Sequence, residues 1–109
     1  MRQSLQMVRG DTFSFDLELS DVNVDDITSI YFTVKSRLAD EVPVFEKNLS
    51  NGITYIDNNT FRVRVEPDDT IELEPGIYVY DIEVSVGKDV YTVLRGTMLI
   101  VSDVSTKWR

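Results

Sequence analysis

Cysteine and histidine are both missing from this sequence. Without cysteine there can be no disulfide, no thiolate zinc site and no thiol nucleophile. Without histidine the usual general base and the commonest metal ligand are gone as well. Glycine and proline are scarce, five and three in 109 residues, so each one marks a place where the chain is expected to turn. No window approaches the roughly 20 apolar residues needed to span a bilayer. The opening MRQSLQMVRG lacks the continuous apolar segment of a secretory signal. The expectation is a chain made and folded in a cytoplasm, with no membrane as partner. Positive charge is also in deficit, 11 Lys and Arg against 19 Asp and Glu, for a net charge of −8. An acidic surface repels phosphate backbones, so nucleic acid is not an expected partner either.

At this length residues 1–109 form one expected domain. A domain of this size buries about two-thirds of its unfolded surface and needs no covalent staple. What the chain does have is alternation, clearest over residues 73–101. Tyr78, Tyr80, Ile82, Val84 and Val86 fall on one side of an extended strand, and Asp81, Glu83 and Ser85 on the other. Val86-Gly87-Lys88-Asp89 is expected to reverse the chain, with Gly87 supplying the positive φ of a tight hairpin. In the returning strand Gly96 interrupts the alternation, which predicts a bulge there.

Residues 4–8 read as a short edge strand, followed by a turn at Arg9-Gly10-Asp11. That tripeptide also spells an integrin-binding signal, but in a chain without a secretion signal the glycine turn is the expected reading. Residues 12–20 alternate almost without fault, with Phe13, Phe15, Leu17 and Leu19 inward. Asp21, Asn23 and Asp25 match the first ligand positions of a calcium loop. Asp26 and Phe32 then stand where glycine and glutamate are required, so a solvated loop is expected.

Residues 27–35 form a third strand with Ile30, Phe32 and Val34 inward, and residues 42–47 a weaker one that Pro43 confines to an edge. A second hairpin runs from 53 to 66 about a turn at Asp57-Asn58-Asn59. It leaves Arg62 and Arg64 on an outer face, where they are expected to pair with neighbouring acids. Residues 67–72 suit a single helical turn, since Pro and acidic residues favour a helix start. The polar tail 102–109 carries the only tryptophan, Trp108, either an interface anchor or a side chain folded back over the sandwich edge. Short, evenly spaced strands without helical periodicity predict an all-β fold, an antiparallel β-sandwich of seven to eight strands.

Laid out in order, four stretches carry a resemblance: Arg9-Gly10-Asp11-Thr12-Phe13-Ser14-Phe15; Phe32-Thr33-Val34-Lys35; Pro75-Gly76-Ile77-Tyr78-Val79-Tyr80-Asp81-Ile82-Glu83-Val84; and the close from Leu94-Arg95-Gly96-Thr97-Met98 to Ser102-Asp103-Val104. Together they resemble the small immunoglobulin-like virion proteins of tailed bacteriophages and prophages, including the N-terminal domain of the baseplate upper protein. Leu73-Glu74-Pro75-Gly76-Ile77-Tyr78 also looks like the tyrosine corner of fibronectin type III sandwiches, one residue shorter. The resemblance implies a non-enzymatic virion component, without cofactor or metal, that docks onto other tail, baseplate or head proteins and could form a homo-oligomer. Tyr91, Val93, Trp108 and the edge backbone of residues 4–8 are the expected contact surface. The alternative is a carbohydrate- or host-surface-binding module using Tyr31, Tyr55, Tyr91 and Trp108 as a stacking platform. A carboxylate hydrolase is the least supported class. Asp68/Asp69 and Glu72/Glu74 lie in turns rather than across a cleft.

Overall fold

Alternation turns into eight strands in the computed structural model, which describes residues 2–104. These are β1 (Leu5–Val8), β2 (Phe13–Glu18), β3 (Ile27–Lys35), β4 (Phe45–Asn48), β5 (Ile53–Asp57), β6 (Thr60–Val65), β7 (Gly76–Val86) and β8 (Asp89–Val101), with one helical turn, α1 (Pro67–Thr70). They form a five-stranded sheet in the order β1-β8-β7-β3-β4 and a three-stranded sheet in the order β2-β6-β5. The inward residues close over Phe32. Its ring meets Phe15 at 5.3 Å, Tyr80 at 5.6 Å and Phe45 at 6.0 Å, all edge-on. Around it Ile30, Val34, Val63, Val65, Ile82, Val84, Met98 and Ile100 are wholly buried.

Both expected hairpins form, with different turns. Asn58 and Asn59 are both at positive φ (48° and 61°), as a type I′ turn requires. Gly87 is at φ 61° while Lys88 is not at positive φ, the pattern of a type II′ turn. Tyr78 donates its hydroxyl to the Glu74 carbonyl at 2.6 Å, so the tyrosine corner is made. Arg9 is held by Asp103 at 2.9 Å and by the Leu73 carbonyl, and Gly10 N–H donates to the buried Thr70 hydroxyl at 2.8 Å. The Arg-Gly-Asp stretch is thus a structural turn between the sheets. In the acidic loop Val24–Asp26 winds into a 3-10 turn, and the Asn23 side chain accepts from Asp25 N–H.

Three expectations change. The sandwich is not wholly antiparallel, because β1 pairs parallel with β8. The Arg9–Asp11 turn carries the chain across to the other sheet, so β1 cannot form a hairpin with β2 and lies beside β8 in the same direction. Gly96 is not a bulge. Pairing is unbroken from Ile82–Leu94 to Gly76–Ile100, and the extra residue is Val93. Gly96 answers a close approach instead: a Cβ there would stand 2.0 Å from the Gln3 carbonyl oxygen, which also accepts the Tyr80 hydroxyl at 2.6 Å. Finally, β4 starts at Phe45 rather than residue 42, since the chain enters past Pro43 and is first tied in by Val44 N–H to the Val34 carbonyl.

The start of β4 places Lys47 at an inward position. Only 2% of this residue is exposed, and its ammonium meets the Asp69 carboxylate of α1 at 2.6 Å. Asp69 also accepts the Glu66 N–H, closing the start of the helical turn. A single ion pair therefore ties the margin of the five-stranded sheet to the crossover that leaves the three-stranded one.

Candidate docking face

Register fixes which side chains share the outer face of the five-stranded sheet, since residues opposite one another in a ladder point the same way. One row reads Gln6, Leu99, Ile77 across β1, β8 and β7. The next reads Thr97, Val79, Lys35, with the Ser4 hydroxyl 3.5 Å from that of Thr97. A third runs Arg95, Asp81, Thr33, Glu46, flanked by Arg2, which bridges to Arg95. The fourth is Thr92, Glu83, Tyr31, Asn48.

The two middle rows form an open groove of about 650 Å³, lined among others by Arg2, Lys35, Leu38, Val79, Asp81 and Arg95. Leu38, 75% exposed, lines this groove, and beyond it on the same face Ile77 is 69% exposed, with Leu99 and Val8 also exposed. Asp81 and Arg95 sit directly opposite each other. Even so, neither side chain forms an ion pair or hydrogen bond with a described residue. Among the described residues the face carries three cations, Arg2, Lys35 and Arg95, and three anions, Glu46, Asp81 and Glu83. It is therefore neutral on a chain of net charge −8.

The outer face of the three-stranded sheet is finished differently. Arg62 grips Asp16 through two hydrogen bonds of 2.9 and 3.3 Å, and Arg64 pairs with Glu66. The Arg62 hydrogen bonds hold the Asp16 carboxyl below its ordinary value of 3.8.

The residues expected at the contact surface are not brought together. Tyr91 is half exposed, but it pairs with Val84, on the core side of the β7–β8 ribbon near its tip. Val93, the bulge residue, is partly buried against the core. Trp108 lies outside the described residues. Residues 4–8 do end in an edge strand, β1. The tyrosines of the alternative platform also separate. Tyr31 is on the outer face of β3, Tyr91 is on the core side, and Tyr55 overhangs β5 with its ring on Phe61 at 5.3 Å. Ile77, Leu99, Asp81 and Arg95 were legible as outward residues by strand parity, but only the cross-strand register joins them into one surface.

No family model and no curated protein matches the sequence. Solved structures do share its shape. An endo-beta-1,4-mannanase from Thermotoga petrophila matches 92% of this chain with a TM-score of 0.61 and 10% identity. A putative glycoside hydrolase from Bacteroides vulgatus matches 94% with a TM-score of 0.51 and 20% identity. The chain spans only 18% and 17% of those two proteins. The first Ig domain of the mouse polymeric immunoglobulin receptor matches over 95% of this chain and 94% of its own, with a TM-score of 0.54 and 14% identity. At such identities the likeness carries the fold alone, an immunoglobulin-like β-sandwich.

Proposed function

We propose that this chain is a non-catalytic docking module of a tailed-phage or prophage particle, a structural or adaptor protein bound to other tail, baseplate or head subunits. The observation that carries the docking part is the outer face of the five-stranded sheet, where Ile77, Leu38 and Leu99 stand exposed on the same face as the unpaired Asp81 and Arg95. Exposed apolar groups rimmed by polar ones mark contact surfaces, and unpaired charges wait for a partner to complete them. The particle assignment rests on the sequence resemblance. The groove is lined by a single carboxylate, Asp81, whereas glycoside hydrolysis commonly needs two facing each other, which supports a non-enzymatic role.

The test is to co-express the chain with tail, baseplate and head proteins of its own genome and to search purified particles by mass spectrometry. Stoichiometric recovery with particles is the expected result. Absence from particles, together with failure to bind any of those proteins, overturns the reading. A carbohydrate-binding module is the second reading, prompted by the two glycoside-cleaving enzymes among the similar structures. It lacks a stacking platform, because Tyr31, Tyr55 and Tyr91 lie on separate surfaces. Specific binding on a glycan array would reverse that ranking.

A further inference from the structure

We infer that the partner of the five-stranded sheet's outer face is a second copy of the same chain, packed face to face about a two-fold axis running between β7 and β8. The inference rests on the docking reading of this face and names its occupant.

Two copies facing each other across a plane are related by an axis lying in that plane. If the axis runs parallel to the strands, each residue keeps its row and is reflected to the other side of the axis. With the axis between β7 and β8, the partner's Leu99 lies over Ile77 and its Thr97 over Val79. Its Arg95 lies over Asp81, because each of these is a directly opposed pair in the β7–β8 ladder. The geometry is isologous, so every contact is made twice. Apolar residues meet apolar residues at one end, and the two unpaired charges of each copy find opposite charges in the other. Moving the axis onto β7 would instead set Asp81 against Asp81, so the charges select the register.

Charge distribution points the same way. A chain of net charge −8 repels its copies, yet the described residues of this face carry three charges of each sign. It is thus a surface through which two copies approach without like-charge contact. The repulsion from the remaining acidic surface is screened beyond about 8 Å at physiological salt. The overlap is modest. Under this axis β7 and β8 face their counterparts along eleven residues and β1 faces β3 along four, which at about 4.8 Å between strands gives about 500 Å² of flat area. A standard interface buries roughly 800 Å² per partner, so a weak dimer is expected. Opposed twisted sheets cross at about 30°, so the overlap is best in the rows of Ile77, Val79 and Asp81.

Sedimentation velocity from about 1 µM to about 1 mM, the span from moderate to weak affinity, measures the association. A monomer–dimer equilibrium within that range is expected. Ile77→Asp alters an exposed residue, and it should weaken the dimer at least tenfold while leaving the melting temperature of the dilute monomer unchanged. Asp81→Arg and Arg95→Asp should each weaken the dimer, and the double reversal should restore it. The native sequence has no cysteine, so a chain carrying Val79→Cys mixed with one carrying Thr97→Cys gives an independent readout. The mixed disulfide should form faster than either homodisulfide. A chain that stays monomeric throughout, or a dimer indifferent to Ile77→Asp and to both charge reversals, overturns the inference. The docking reading fails separately: a monomer that still co-purifies with particles sinks only the dimer, and a dimer absent from every particle sinks only the particle assignment.

Discussion

The two outer faces of this sandwich solve the same problem in opposite ways. On the three-stranded sheet each arginine has an acid within reach, Asp16 for Arg62 and Glu66 for Arg64, and no large apolar side chain shares the row. On the five-stranded sheet Asp81 and Arg95 stand opposite one another without pairing, two rows from exposed Ile77 and Leu99. The first surface is complete in water. The second is left incomplete by the same kind of alternating strands. Alternation therefore decides only that a residue faces out; which residues meet there decides whether the surface is finished.

The difference can be broken most severely at the join between the sheets. Lys47→Ala removes one partner of a nearly buried ion pair and should cost about 3 kcal/mol in urea denaturation, loosening both faces at once. A more selective blow is Gly96→Ala. Its new methyl would collide with the Gln3 backbone and push β1 off β8, at a cost of about 1–3 kcal/mol. Hydrogen exchange should then quicken at Gln3 and along β1 and leave the β2, β5 and β6 amides protected, damaging one face only.

Tyr78→Phe deletes the corner hydrogen bond and should cost about 1 kcal/mol by the same denaturation. That residue also carries a pH signature. Burial raises the phenol pKa values of Tyr78 and Tyr80 above 10.0, with Glu74 adding to the shift at Tyr78. An unfolded chain would ionise these phenols first. Their contribution is full below pH 10 and is lost as the pH climbs through the raised folded values. Phenolate absorbance against pH should show late-titrating tyrosines, one fewer in the variant.

The smallest effect belongs to the finished face. Arg62→Ala should leave the melting temperature within error, because both partners are solvated. It should raise the Asp16 carboxyl back toward its ordinary value in an NMR titration. The sign follows from a lowered value: whatever the pair contributes is present above pH 3.8 and disappears as the pH falls through the depressed value.

Much of this fold was legible because its signals are local. Period-two alternation marked Phe13 to Leu19 and Tyr78 to Val84, and Asn58-Asn59 and Gly87 marked the turns. The Glu74–Tyr78 corner follows from a spacing within one strand entrance. What escaped was long-range. Nothing near Lys47 announces Asp69, 22 positions later, so a lysine on a short strand reads as solvated. Gly96 broke the alternation and suggested a bulge, because Gln3, its true neighbour, lies at the other end of the chain. The candidate face escaped for the same reason. Ile77, Asp81, Leu99 and Arg95 are adjacent only once β7 and β8 are paired, with Val93 absorbing the extra residue. Tyr91 and Val93 are expected at the contact surface, yet the bulge at Val93 returns Tyr91 to the core side.

The seclusion of the Lys47 amine has a practical consequence. Acylating reagents should label Lys35 and Lys88 in the native protein and pass over Lys47, whose nitrogen is shut away beneath the turn that carries Asp69. Any labelling there records a moment when that turn swings clear, so one mass-spectrometric peak can clock how often the seam of the molecule gapes.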